Sequence, residues 1–374
     1  MKAKAEGHVC WEETAKRILL FAGSYLDFDG RYSPGGRQRF IRDLAKLIQA
    51  WGRDVVVVQK ARSAFECLCP DGVPVVGITS QLRAVGDVRF SHAARALARP
   101  GDCWLYASGE DAWPYFATGS KAIQHGVWWD GPQSYGVRTI QRTRSMAMVR
   151  RVQSVLCVDT NFINWLRCEG PEGYRLSNRC QYIPNYADLA LLPVTTRHEG
   201  QPLTIITARR FEEKRGTELL LNSLAVLWRN KVTFRAHIST VGGLTYVKKR
   251  CDELGISDLV SVSEDSMGRV LARYGDCHVA AVPTLWSEGT SFACVEALAA
   301  GLPVVCTAVG GLGNLVLPNF NGFVVRPDAE AFAGALQALA DGAMWQMMHR
   351  NALSMRESLG LERWKRDVAP WLAA

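Results

Sequence analysis

Short unbroken apolar runs alternate along the chain with longer stretches in which apolar residues recur every three or four positions. The run Arg17-Ile18-Leu19-Leu20-Phe21-Ala22 predicts a buried strand. Phe40, Ile41, Leu44, Leu47, Ile48 and Trp51 then recur at helical spacing up to Gly52, and Asp54-Val55-Val56-Val57-Val58 predicts a second buried strand. Strands that are apolar on both faces and joined through a helix belong to a parallel sheet covered on both sides. The pattern continues with short strands at Cys103–Tyr106, Lys121–Ile123 and Val155–Val158, a helix over 161–166, and a closing segment Gln181–Asn185.

A second series begins at Leu203-Thr204-Ile205-Ile206. It predicts helices over 218–228, 246–254, 267–274 and 292–300, and strands over 233–238, 260–262, 277–282 and 303–306. Two such series imply an α/β protein of two doubly wound, Rossmann-like domains. The break falls between Pro184 and Gln201. The expected division is residues 1–190, residues 191–355, and a closing helix, 356–374, that carries Trp364 and Trp371 and crosses back to the first domain. Residues 1–15 read as a polar lead-in.

Composition narrows the picture. The 374 residues suit two domains, and 48% hydrophobic with 21% charged residues excludes a disordered chain. The net charge of +8 is concentrated in residues 1–190, a face suited to an anionic partner or simply to solubility. Eleven cysteines, an odd number without paired metal-ligand spacing, predict a reducing compartment. No stretch reaches the ~20 apolar residues of a membrane span, so any membrane contact is expected to be peripheral and the chain cytoplasmic.

In open α/β sheets ligands bind beyond the carboxyl ends of the strands, so the loops there are the candidate sites. Ser33-Pro34-Gly35-Gly36 precedes a helix, and adjacent glycines with a helix N-terminus suit phosphate. Ala208 to Gly216 carries Arg209, Arg210, Lys214 and Arg215, which could neutralise a diphosphate; a solvated charge run is the alternative. Ser287 to Ala297 places Glu288 in a loop, Gly289, Thr290, Ser291 and Phe292 at a helix start, and Glu296 on an otherwise apolar helix. There a buried carboxylate needs hydrogen-bond donors, and an exposed one needs nothing. Gly301 to Gly311 ends a strand in a Gly-Gly turn. Asp27-Phe28-Asp29 has the spacing of a metal-binding pair but stands apart from these loops.

At Pro283…Glu288-Gly289-Thr290-Ser291…Glu296-Ala297, Gly301-Leu302-Pro303-Val304-Val305, Gly310-Gly311 and Asn321-Gly322 the sequence resembles the retaining family-4 glycosyltransferases (glycosyl transferases group 1). Arg210, Lys214 and Arg215 match that family's diphosphate-binding position, with Lys214 one step early. Ile183 to Asp188 matches its domain crossover, and Gly35-Gly36 and His125-Gly126 its first-domain loops. Leu312 stands where the family often has an acidic residue.

The resemblance implies a GT-B fold and transfer of a hexose-type sugar from a UDP- or GDP-sugar, without a metal cofactor. The acceptor would be a glycan or a lipid-linked molecule in bacterial surface polysaccharide or glycoconjugate assembly. It implies that Glu288 holds donor-sugar hydroxyls, Glu296 the ribose and His125 the reacting centre. Arg210 with Lys214 or Arg215 would hold the phosphates. The basic stretch Arg138 to Arg151, with Arg142, Arg144 and Arg150, could rest on an anionic membrane, and Trp128, Trp129 and Tyr135 could stack on acceptor sugar. Nucleic acid is not an expected partner. A dinucleotide oxidoreductase is disfavoured because neither half has Gly-x-Gly-x-x-Gly after a strand. A non-catalytic sugar-nucleotide-binding module is the remaining alternative.

Overall fold

The structure, a computed structural model, describes residues 17–31, 35–80 and 83–373. The lead-in 1–15 and the loop residues Ser33 and Pro34 lie outside the described residues. The first sheet contains β1 (Arg17–Ala22), β2 (Asp54–Ala61), β3 (Phe65–Leu68), β4 (Pro74–Thr79), β5 (Cys103–Tyr106), β6 (Lys121–Gln124), β7 (Ser154–Cys157) and β8 (Cys180–Tyr182). Their order is β3-β4-β2-β1-β5-β6-β7-β8. The second sheet contains β9 (Leu203–Arg210), β10 (Phe234–Val241), β11 (Val260–Ser263), β12 (Val279–Val282), β13 (Val304–Thr307) and β14 (Gly322–Val325), in the order β11-β10-β9-β12-β13-β14.

Pairing is parallel throughout the described strands except for β3 against β4. The doubly wound α/β architecture expected from the alternating pattern is therefore the one found. Central strands are buried on both faces, as their unbroken apolar runs require, whereas the edge strands β3 and β8 are largely exposed and the edge strand β11 is mostly half-buried. The hairpin-like β3–β4 pair and the helix Arg83–Leu97 fall where apolar periodicity is weak.

Each sheet has a point where the strand order reverses: between β1 and β5 in the first, and between β9 and β12 in the second. These are the sites at which an open sheet leaves a crevice at its carboxyl edge. Gly35 and Gly36 follow β1, Arg209 and Arg210 end β9, and Glu288 follows β12.

The last helix, Leu361–Ala373, lies against the first sheet. Trp364, Val368, Trp371 and Leu372 join the core formed by Leu20, Phe40, Leu44 and Val57. Buried Lys121 on β6 donates to the carbonyls of Trp371 (2.6 Å) and Leu372 (3.0 Å), satisfying acceptors that the end of a helix leaves open. Arg363 of the same helix donates to Asn185 O at 3.0 Å.

Candidate functional site

A cleft of about 500 Å3 runs between the two sheets. It is lined by Gly35, Gly36, His125, Arg210, Lys214, Arg215, Glu288, Gly289, Thr290, Ser291, Phe292 and Glu296, so these candidates from the sequence meet in one place. Arg37, Arg39, Trp128 and Arg209 line it as well. Six cationic side chains stand there against four carboxylates, Glu212, Asp265, Glu288 and Glu296, so the cleft is electropositive.

The cations are positioned by β9. Arg209 and Arg210 were expected in a loop after Ile206, but β10 pairs with β9 as far as Val241 opposite Arg210, which extends the strand to its eighth residue. A short 3-10 turn, Glu213–Arg215, follows and brings Lys214 and Arg215 back to the same edge. Lys214 Nζ lies 3.3 Å from Glu212 and 5.3 Å from the Trp128 ring, and Arg37 stacks 5.4 Å from that ring from the first-domain side. Arg210 reaches Gln38 Oε1 at 3.3 Å, across the cleft. Gly35 lies directly against the Arg210 guanidinium, so the first-domain loop and the end of β9 touch across the cleft.

Glu288 is 8% exposed, and its partners within the protein are two guanidinium groups and a hydroxyl. Its Oε2 accepts from Arg209, from Arg215 Nη1 at 2.5 Å and from Thr284 Oγ1 at 3.0 Å. All three of these bonds end on the same carboxylate oxygen. Burial works against its charge, but Arg209 and Arg215 more than reverse this and hold its carboxyl below the usual range. Arg209 also donates to Ser291 Oγ and, at 2.9 Å, to Thr284 Oγ1, which ties the end of β9 to the helix Phe292–Ala299. The Gly-Gly turn supports the same loop: Gly311 N–H donates to Glu288 O at 3.1 Å, and Gly310 has φ +56°, with no room for a Cβ against that carbonyl.

Glu296 is also buried, and the donor it receives is Arg39, from the opposite domain. Burial lifts its carboxyl above the usual range, and Arg39 offsets this only in part. Arg39 carried no signal in sequence: it is one cation among several on an amphipathic helix.

Thr290, expected among the donor-binding groups, faces the first domain. Its hydroxyl donates to Val158 O at 2.8 Å and accepts from Asn185 N at 2.9 Å, so it cross-links the domains. Gly289 packs against Val158 and the His125 carbonyl, and Phe292 against Gly36 and Tyr186. Ser287 with Asp130 (3.0 Å) and Asn314 with Thr160 (2.9 Å) make further bonds across the seam.

His125 follows β6, with Nε2 2.9 Å from Ala107 O. A carbonyl can only accept, so Nε2 carries the proton and the ring is neutral with Nδ1 as an acceptor. Burial, with Arg37 nearby, pushes its pKa down to about 3. The unfolded chain, with histidine near 6.5, therefore binds the proton more readily. The stability contributed by His125 is complete above about pH 6.5 and is lost as pH falls towards 3. The melting-temperature advantage of the unaltered chain over His125→Asn should accordingly shrink between pH 7.5 and 4. A constant difference would show that the ring is not held neutral.

Trp129 packs edge-on against Trp165 at 4.7 Å, and Tyr135 is 84% exposed. The arginines of the helix Tyr135–Arg151 largely have protein partners: Arg142 with Glu169, Arg150 with Glu172 (2.7 Å), Arg144 over Trp113 and Arg138 on Gly131 O. Asp27 caps a turn, accepting from Asp29 N and Arg31 N. Among the described residues no group of three or more His, Cys, Asp or Glu could hold a metal. No described helix is long and apolar enough to cross a membrane.

Residues 192–355 match the sequence model of the family described as "Glycosyl transferases group 1". The D-inositol 3-phosphate glycosyltransferase of Frankia alni is 31% identical over 148 residues, covering 37% of this chain and 36% of the relative. The chain thus aligns with about a third of the length of the curated relatives it matches. Over nearly its whole length it superposes on sucrose-phosphate synthase from Thermosynechococcus elongatus, with TM-score 0.77, 19% identity, and 95% and 98% of the two chains covered. The Anabaena protein HepE, solved in complex with UDP-glucose, gives TM-score 0.72 at 16% identity, with 96% and 99% covered. At such identities these likenesses concern the fold. Two facing parallel α/β sheets and the shared overall structure give the chain a GT-B-like fold, and its second half, residues 192–355, is similar to the glycosyl transferases group 1 family.

Proposed function

We propose that the chain is a retaining glycosyltransferase that moves a hexose-type sugar from a UDP- or GDP-sugar to a glycan or lipid-linked acceptor, in assembly of surface polysaccharide or glycoconjugate. The observation that carries this reading is the electropositive cleft at the switch point of the second sheet, where Arg210, Lys214 and Arg215 stand beside a carboxylate that is already neutralised. A departing diphosphate needs fixed positive charge, and preorganised charge costs nothing to assemble during reaction. Residues 191–355 would bind the donor, residues 1–190 the acceptor, and the closing helix would link the two.

The cleft carboxylates support transfer without a protein nucleophile. Glu288 is held by Arg209 and Arg215, Glu296 by Arg39, Glu212 by Lys214, and Asp265 by Arg273 at 3.0 Å. A double displacement would need one of these to leave its cation. Front-face attack, with the donor phosphate taking the acceptor proton, needs none of them to move. Neutral His125 can accept a hydrogen bond through Nδ1 from a sugar hydroxyl.

Attachment to an anionic membrane through the helix Tyr135–Arg151 would compete with the Glu169 and Glu172 pairs. It would depend on exposed Tyr135, Val137 and Ile140 and on Arg151.

A donor screen tests the reading. UDP-, GDP- and ADP-sugars are incubated with the purified chain, with and without crude lipid acceptor, and nucleotide release is followed; UDP-glucose, the donor seen with HepE, comes first. Acceptor-stimulated release is expected. Tight binding without release from any donor would favour a non-catalytic sugar-nucleotide module.

A further inference from the structure

The first sheet reverses its strand order between β1 and β5, and two buried polar groups stand unspent at that point. After β5 the chain makes a short 3-10 turn, Gly109–Ala112, which sets Asp111 against Gly23 at the end of β1; a Cβ on Gly23 would lie 2.7 Å from Asp111 Oδ1. Asp111 is 9% exposed, and its other oxygen, Oδ2, is buried without a hydrogen-bond partner in the protein. Ser108 opens the same turn and is 1% exposed. A serine there ordinarily accepts from a backbone N–H of the turn, but the Ser108 hydroxyl caps nothing and its Oγ also lacks a partner. Buried polar atoms left without partners cost free energy, and two on one turn are not explained by folding alone. The place adjoins the cleft. Ser24, next to Gly23, lines the cleft, as does Arg37, whose charge acts on both Asp111 and His125. His125 Nε2 is bound to Ala107 O, immediately before Ser108. The cations that face Asp111 have other partners: Lys60 pairs with Asp87 at 2.5 Å, and Arg37 lies over the Trp128 ring. Burial lifts the Asp111 carboxyl above the usual range, and these cations offset this only in part.

We propose that Ser108 and Asp111 determine acceptor specificity: they hold hydroxyls of an uncharged sugar at the attacked end of the acceptor, and Asp111 turns away a sugar that is phosphorylated there. An ionised carboxylate only accepts hydrogen bonds, so the partner of Asp111 Oδ2 must bring an O–H or N–H, while a serine hydroxyl both gives and receives. Sugar hydroxyls meet both needs. A phosphate brings acceptors and negative charge, and like charges set side by side out of water repel strongly. Neither residue removes the acceptor proton, which passes to the donor phosphate. Their part is to position the acceptor beside His125, and a correctly held reactant lowers the barrier without new chemistry. The inference rests on the glycosyl-transfer reading of the cleft.

The test is titration of the full chain, followed by saturation-transfer NMR, with glucose, galactose, mannose and octyl glucoside in the presence of UDP, GDP and ADP in turn. The 1- and 6-phosphates of whichever sugar binds come next. The measured quantity is the ratio of dissociation constants, phosphorylated over neutral sugar, which a purely structural defect would leave unchanged because it weakens both alike. The unaltered chain should prefer a neutral sugar by about 10- to 100-fold, the worth of a hydrogen bond to a charged group. Asp111→Asn keeps the shape and removes the charge, so the ratio should fall close to unity. Ser108→Ala keeps the charge and loses one hydroxyl contact. It should weaken the neutral sugar by about 2- to 10-fold relative to the nucleotide, and it carries the test if the asparagine variant does not fold. Octyl glucoside separates the sources of such a sugar: tighter binding than glucose supports a lipid-linked acceptor, and equal binding a free glycan end. An unchanged ratio in Asp111→Asn, or a chain that binds nucleotide but no neutral sugar, overturns the proposal. If no nucleotide binds the unaltered chain, the glycosyl-transfer reading itself fails and the proposal falls with it.

Discussion

Glu288→Gln should slow sugar transfer by about 10^2- to 10^3-fold while leaving the affinity for nucleoside diphosphate unchanged or higher. The split follows from the partners of Glu288. Its Oε2 is the shared acceptor for Arg209, Arg215 and Thr284, so the carboxylate acts as the counter-ion that fixes two guanidinium groups at the end of β9. An amide keeps one acceptor oxygen but loses the charge, and its NH2 would face cationic donors. The cleft gains net positive charge, which favours the diphosphate, while Arg209 and Arg215 lose their common anchor, which removes the preorganisation needed in the transition state. Removing one partner of a buried pair is also costly, roughly 3–5 kcal/mol when nothing relaxes. Some loss in melting temperature is therefore expected, and turnover should be measured on the folded fraction. A variant with near-normal turnover, or one whose diphosphate affinity falls in parallel with turnover, would show that Glu288 does not hold the cations for catalysis.

The same residue shows what sequence could and could not convey. The position of Glu288 after a buried strand, and the helix start that follows it, could be read from apolar periodicity because strands buried on both faces leave long apolar runs. The identity of its partners could not, because Arg209 meets it only through the parallel pairing that places β9 beside β12. Arg39 illustrates the limit more sharply. Its role depends on two domains meeting, and nothing local distinguishes it from Arg37 or Arg42. Thr290 has the look of a helix-start ligand group, yet its hydroxyl is taken by Asn185 and Val158 of the other domain. The short edge pair β3–β4 was illegible for the opposite reason: Phe65–Leu68 is mostly exposed and leaves no apolar run. The stretch 138–151 was legible as basic, but the carboxylates that pair with it, Glu169 and Glu172, stand at the start of the helix Gly170–Ser177, beyond a strand and another helix.

Trp364→Ala should destabilise the first domain by about 3–5 kcal/mol, the usual cost of removing a fully buried tryptophan, and lower its melting transition by roughly 10 °C. Trp364 has no exposed surface and packs against Tyr186 (4.4 Å between ring centres) and Phe40 (5.2 Å). Phe40 in turn meets the His125 ring edge-on at 5.1 Å, so a chain of aromatic contacts runs from the last helix to the cleft. Loss of the indole would leave a cavity behind Phe40 and free the His125 ring to depart from its bond to Ala107 O. Turnover should then fall as well as stability. Trp364→Phe separates the packing contribution from any polar one. The indole N–H has no partner, so its removal costs no hydrogen bond, and the smaller ring, which keeps most of the packing, should cost clearly less than alanine. Calorimetric melting of the two variants decides the matter. If alanine costs no more than phenylalanine, the last helix is not part of the first domain's core in solution, and the route from that helix to His125 does not exist.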